Sequence, residues 1–232
     1  MDLSQRSAAP EVMDSDVVDA DTYARCLTDL GRLNSVTLTH RPTLRWLAQA
    51  SRDLPRTTPL SILDVACGGG DLLRAIRRWA DRCGRTVSLQ GIDLNPRSAV
   101  VARAATPPAM AITYHTGDVF AYDPQPAADV IVSSQFMHHL SDVEAVQFLR
   151  WLERHAGRGW YVADLRRHAV PYYGFRFLAI AARWHKIVRS DGTISIARGF
   201  RLPELRRLVA AAGVPAEVSE QTLFRVGIGR VR

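Results

Sequence analysis

The chain has 232 residues, 47% hydrophobic and 23% charged, which fits one well-cored domain and excludes global disorder. Its longest apolar-looking stretch, VPYYGFRFLAIAARW, is interrupted by Arg176 and is too short to span a bilayer, and no signal peptide is read at the N-terminus. Net charge is +7, yet ten cations against two acids fall between Leu165 and Arg207, so the basic excess belongs to one segment.

Residues 1–20 are polar and acidic without an apolar period and read as a mobile tail. Residues 21–57 form a helical cap, with Leu27, Leu30 and Leu33 on a first helix and Leu44 and Leu47 on a second after Pro42. The rest, 58–232, alternates. LSILDVA reads as a buried strand, DLLRAIRRWADRC as a helix, TVSLQGID as a strand, and NPRSAVVARAA as a helix capped by Asn95. MAITYHTGD and ADVIVSS follow as strands. SDVEAVQFLRWLERH opens with Ser141 and Glu144 at capping-box spacing, and GWYVADL is a fifth strand. After a long irregular-to-helical segment come the helix LPELRRLVAAAG and two last strands near AEVSEQ and FRVGIGRV. Such alternation predicts an α/β fold with a mostly parallel sheet and helices on both faces. Cys26, Cys67 and Cys83 show no metal-ligand spacing, which predicts reduced thiols, a cytoplasmic protein and no bound metal.

In an open α/β sheet, ligands bind outside the carboxyl ends of the strands. Gly68, Gly69 and Gly70 follow the first strand and remove side chains where a ligand must approach backbone. Asp64 sits inside that strand's end, Asp93 ends the second strand in GIDLNP, and Asp118 follows the third in TGDVF. Three acids at successive strand ends would repel a pyrophosphate and suit a nucleoside that carries positive charge. A dinucleotide fingerprint is also disfavoured, because Leu73 stands where its third glycine belongs.

LDVACGGGD, GIDLNP, TGDVF and ADVIVSSQFMHHL, in that order, resemble the motifs of class I S-adenosylmethionine-dependent methyltransferases. The small-molecule group that includes quinone-biosynthesis and type 11 enzymes is most similar. More loosely, DLGRLNSVTLTHRPTLRWL and SDGTISIARGFRLPELRRL look like bacterial methyltransferases found with aromatic polyketide synthases. The resemblance implies a Rossmann-like fold with a seven-stranded sheet, and a cofactor, S-adenosyl-L-methionine. It implies that Asp64, Ala66, Gly68 and Gly70 border the methionine part, with Asp93 and Leu94 at the ribose. Asp118 and Val119 would meet the adenine, and the backbone around Ser133 and Ser134 the methionine amine. Ala66 departs from the family, which often has its first glycine there.

Methyl transfer needs an acceptor placed in line with the methyl and water excluded; a hydroxyl acceptor also gains from a base. His138, His139 and Asp164 are the candidates at the ends of strands four and five, and His185 is a further one. The alternatives are packing for the histidines, and capping or pairing with Arg166 or Arg167 for Asp164. The insertion at about 166–200 reads as a lid, in which Tyr172, Tyr173, Phe177 and Trp184 would offer an aromatic wall to a flat acceptor. His185 and Arg198 complete the candidate substrate set. The basic lid suits an acidic substrate, an acidic carrier protein or an anionic membrane surface, with a solvated basic face as the bland alternative.

The sequence therefore leads to a cytoplasmic methyltransferase, monomer or homodimer, that O-methylates a small aromatic or polyketide-derived acceptor in secondary metabolism. Alternatives are C-methylation of a quinone or polyketide ring, RNA methylation through the basic segment, and a catalytically silent partner subunit. SSQFMHH lacks the N-P-P-aromatic signature of exocyclic amine methylation, which disfavours nucleic acid.

Overall fold

The computed structural model describes residues 3–15, 17–181 and 184–232. Two helices, α1 (Ala20–Val36) and α2 (Arg41–Ala50), precede the alternating part. That part runs β1 (Leu60–Val65), α3 (Asp71–Cys83), β2 (Val87–Asp93), α4 (Pro96–Ala105), β3 (Ile112–Thr116), β4 (Val130–Ser134), α5 (Asp142–His155) and β5 (Gly159–Leu165). Then come α6 (Ala169–Ala181), α7 (Lys186–Arg198), α8 (Leu202–Ala212), β6 (Glu217–Gln221) and β7 (Arg225–Val231). The seven strands form one sheet in the order β3-β2-β1-β4-β5-β7-β6. Neighbours from β3 to β5 are parallel, and β7 runs antiparallel to both β5 and β6.

This topology places the site. Strand order reverses between β1 and β4, and the parallel strands bring Asp64, Asp93, Ser133, Ser134 and Asp164 to one edge of the sheet. Local chemistry fixes the elements leading there. The Asn95 side chain caps α4 by accepting the Arg97 N–H at 3.0 Å. Ser141 and Glu144 form the expected reciprocal box at α5, and Gly213 closes α8 in the left-handed region. One face of the sheet buries Phe148, Leu152, Trp160, Phe200 and Leu205; the other buries Leu47, Leu73, Ile76, Trp79 and Leu89. Each such side chain contributes about 1.5–3 kcal/mol on full burial.

The long segment after β5 is two helices packed against each other, with Phe175 on α6 pressed so closely to Gly192 on α7 that a Cβ there would clash. One expectation changes. The N-terminal arm, read as a mobile tail, docks over residues 3–15 onto this pair and the sheet edge. Ser7 N–H donates to Ala197 O at 3.1 Å, Arg167 reaches Leu3 O at 3.0 Å, and the Asp191 carboxylate accepts the Val12 and Met13 N–H groups. Polar composition concealed this, because the arm is held by backbone groups and charged side chains. Position 16 of that tail and Arg183 of the basic lid lie outside the described residues.

Candidate active site

The turn from β1 into α3 is built for close approach. Gly68 and Gly70 adopt φ of +49° and +74°. A Cβ on Gly70 would lie 2.8 Å from Tyr114 Cζ, so glycine is required there for two reasons. Ala66 also takes a positive φ, +57°, which costs an alanine about 1–2 kcal/mol. The glycine expected there from the resemblance is thus replaced by alanine where the backbone still adopts glycine's conformation. Leu27 of α1 lies over the turn, 3.6–3.8 Å from where Cβ atoms on Gly69 and Gly68 would stand, so the cap helix roofs the site.

Negative charge gathers around this turn. Asp93 accepts Gly68 N–H at 2.8 Å through one oxygen and Asn95 N–H at 3.0 Å through the other, which locks the glycine turn to the end of β2. A carboxylate offers about four acceptor sites, so ribose hydroxyls remain compatible with these two bonds. Asp64 is 2% exposed and its Oδ1 has no hydrogen-bond partner among the described residues. Burial, then Asp71 and Asp93, push its carboxyl well above the usual range. Ser134 Oγ is likewise buried without a partner, while Ser133 Oγ donates to Val65 O at 3.0 Å. Unanswered buried acceptors beside a turn without side chains fit a cationic ligand with donor groups. Leu94 is exposed beside Asp93. Asp118 is exposed and caps the following turn through Phe120 N–H at 2.9 Å, with Val119 buried behind it.

A second network escaped the sequence reading. Asp71, the first residue of α3, accepts Asn34 Nδ2 at 2.9 Å and lies 2.9 Å from His40 Nε2. Asn34 Oδ1 in turn accepts Gln135 Nε2 at 2.9 Å. Burial would raise the Asp71 carboxyl, but His40 and Asn34 outweigh it and hold it down to about 2. This chain ties α1 and α2 to the glycine turn and to the end of β4. A polar Asn34 among the leucines of an amphipathic helix, and an acid directly after the glycines, were its only sequence signals.

The candidate catalytic residues meet at the end of β5. His138 Nδ1 lies 2.6 Å from Asp164 Oδ1, and His138 N–H donates to Asp164 Oδ2 at 3.0 Å. The His139 ring lies 4.3 Å from that of His138, centroid to centroid. Glu11 of the N-terminal arm is 6% exposed, and its Oε1 stands 3.8 Å from the Nε2 atoms of both histidines. Burial pulls the His138 imidazolium down, but Asp164 and Glu11 outweigh it and raise it to about 9. Burial likewise opposes the Asp164 and Glu11 carboxylates, yet the histidines hold both below their ordinary values. Glu11 lies 127 positions from His138, in a segment whose composition suggested a tail.

The candidate substrate residues do not form one wall. Tyr172 is buried in a small core with Leu165 and Ile196, its ring edge-on to the exposed Tyr173 at 5.2 Å. Phe177 is 78% exposed, whereas Trp184 packs against Phe175 at 5.9 Å. His185 caps α7, with Nδ1 accepting Ile187 N–H at 3.4 Å and lying 3.7 Å from Cys26 Sγ. Arg198 donates to His138 O at 3.2 Å and His139 O at 2.8 Å, so its guanidinium holds the backbone of the histidine turn. The basic segment is partly neutralised in the same way: Arg166 pairs with Glu220, and Arg167 is buried against Glu204. Arg176, Lys186, Arg189, Arg201, Arg206 and Arg207 remain on the exposed surface.

Residues 62–159 match the family described as Methyltransferase domain. No curated protein sequence matches the chain. Among solved structures, the plantazolicin methyltransferase BpumL in complex with SAH is 14% identical, with 95% of this chain and 93% of that chain covered and a TM-score of 0.68. Human N-acetylserotonin methyltransferase with SAM is 15% identical over 92% of this chain and 56% of its own, TM-score 0.63. Magnesium protoporphyrin IX methyltransferase from Synechocystis PCC 6803 with SAH is 16% identical over 93% and 88%, TM-score 0.56. At these identities the likeness is one of fold.

Proposed function

From the premise that this chain is an S-adenosylmethionine-dependent methyltransferase of class I fold, we propose that it methylates a hydroxyl on a small aromatic or polyketide-derived acceptor. The observation that carries this reading is the junction of two features on one sheet edge. The acid-lined glycine turn under α1 lies at the ends of β1 and β2, and the Asp164–His138–Glu11–His139 array lies at the ends of β4 and β5.

S-adenosylmethionine, when bound, supplies a methyl group on a positively charged sulfur. Around it, Asp93 would accept the ribose hydroxyls, and Asp64 would answer donor groups at the methionine end. Gly68, Gly70 and Ala66 would let the ligand lie against backbone, while Asp118 and Val119 would border the adenine. Roofing by Leu27 would exclude water, which keeps the transfer from being lost to hydrolysis. His138, buried and bonded to Asp164, is read as a positioning residue. The more open His139, beside Glu11, is the end of the array where an acceptor's proton would be taken.

A small acceptor is supported by relatives of the same fold more than by charge. Arg167 and Arg198 are bonded inside the fold, while Arg176, Lys186, Arg189, Arg201, Arg206 and Arg207 stay exposed. Relatives of the same fold are named for plantazolicin, N-acetylserotonin and magnesium protoporphyrin IX, none of which is a nucleic acid. The test is product analysis: incubate the protein with S-adenosylmethionine and a panel of phenols and polyketide-type enols. A methyl ether identified by mass spectrometry and NMR supports the reading, and a methylated ring carbon overturns the choice of oxygen.

A further inference from the structure

The pairing of Glu11 with two histidines leaves an atom unaccounted for. His138 Nε2 is fully buried and makes no hydrogen bond among the described residues, although its other nitrogen is bonded to Asp164 at 2.6 Å. It points to Glu11 Oε1 from 3.8 Å, too far for a hydrogen bond, and His139 Nε2 lies the same distance from the same oxygen. All three ligand-type atoms lie within 4.8 Å of one another. With two separations of 3.8 Å and the third no more than 4.8 Å, a centre equidistant from the three atoms is about 2.2–2.5 Å from each, within a small adjustment of the ~2.0–2.2 Å of zinc to imidazole and carboxylate ligands.

We propose that Glu11, His138 and His139 form a binding site for a divalent transition-metal ion. Two imidazoles and one carboxylate suit zinc, cobalt or nickel, and disfavour calcium and magnesium, which seek oxygen. Asp164 holds the Nδ1 side of His138, the outer-sphere carboxylate that orients a ligating histidine. Ser195 Oγ donates to Glu11 Oε1 at 2.7 Å and fixes the third ligand. Glu11 and Asp164 together offset a dication. Arg6 and Arg198 meet the array on its backbone side, at His138 O and His139 O. Three protein ligands leave a coordination position for water or for an acceptor oxygen, whose hydroxyl the ion would acidify. In the loaded protein His139 serves as a ligand, and the ion carries out the activation assigned above to the histidine end of the array. This site does not depend on the methyl-transfer reading, since it is defined by ion binding alone. No spacing in the sequence marks it, because its two histidines are adjacent and its carboxylate lies in the supposed tail.

The test uses the full chain after dialysis against EDTA, titrated with Co2+ and followed by its visible d–d absorption, with Zn2+ as competitor. Binding of one Co2+ per chain, with the intense bands of a low-coordinate nitrogen and oxygen site, is expected. Glu11→Gln and His139→Asn should each weaken it about 100-fold or more, and Asp164→Asn about 10–100-fold. Glu11→Gln keeps the side chain's shape and its Ser195 contact, and circular dichroism checks that it folds. Absence of stoichiometric binding, or binding unchanged in both Glu11→Gln and His139→Asn, overturns the site.

Discussion

Asp164 holds His138 twice, through Nδ1 at 2.6 Å and through the backbone N–H at 3.0 Å. One carboxylate therefore sets both the ring's orientation and the path of the turn that carries His139. The pair is almost fully buried, so neither partner can be lost without leaving the other uncompensated.

Asp164→Asn is expected to destabilise the fold by about 2–4 kcal/mol and to lower kcat at least tenfold. A melt in urea gives the first number and steady-state turnover the second. Turnover unchanged in a folded Asp164→Asn protein would remove the array from the reaction.

Asp93 bonds both Gly68 and Asn95, so it shapes the glycine turn as well as carrying the ribose role proposed for it. Asp93→Ala should weaken S-adenosylhomocysteine binding by about 1–3 kcal/mol in calorimetry. Unchanged affinity would move the ribose elsewhere.

The glycine turn provides two changes of opposite sign. Gly70→Ala places a Cβ into Tyr114 at a φ of +74°, and should abolish cofactor binding with a stability loss of about 2 kcal/mol or more. Ala66→Gly relieves a positive φ and should stabilise by up to about 1 kcal/mol, the gain being reduced by glycine's freer unfolded chain. Thermal melts of the two variants moving in the same direction would contradict this account of the turn.

Acid should loosen the cap. The Asp71 carboxyl is lowered to about 2 in the folded chain from an ordinary value of 3.8, so its contribution is present above pH ~4 and is lost as pH falls toward 2. The contribution is at most about 2.5 kcal/mol. Asp71→Asn should lose it already at neutral pH and flatten this part of the stability profile. An identical profile for wild type and Asp71→Asn would show that the Asn34–Asp71–His40 contacts carry no net stability.

The sheet was legible because its signals are local: β-rich runs, glycine and asparagine punctuation, and the Ser141–Glu144 box each lie within a few residues. The strand-end acids were legible for the same reason, since parallel strands bring Asp64 and Asp93 to one edge without any side-chain detail. What joins those ends was not legible. Asn34 meets Asp71 and Gln135, and Glu11 meets His138, across separations that no period or spacing records. Arg198 and Arg167 misled for a related reason. A charge count cannot separate a guanidinium bonded to carbonyls and a carboxylate inside the fold from one turned to solvent.

The most direct measurement offers the purified protein methyl-labelled S-adenosylmethionine with two pools, a phenolic and polyketide extract and total RNA. Label in the organic extract, absent from RNA, is the result this account requires. Label in RNA, or none in either pool while S-adenosylhomocysteine still binds, would contradict methyl transfer to a small-molecule acceptor.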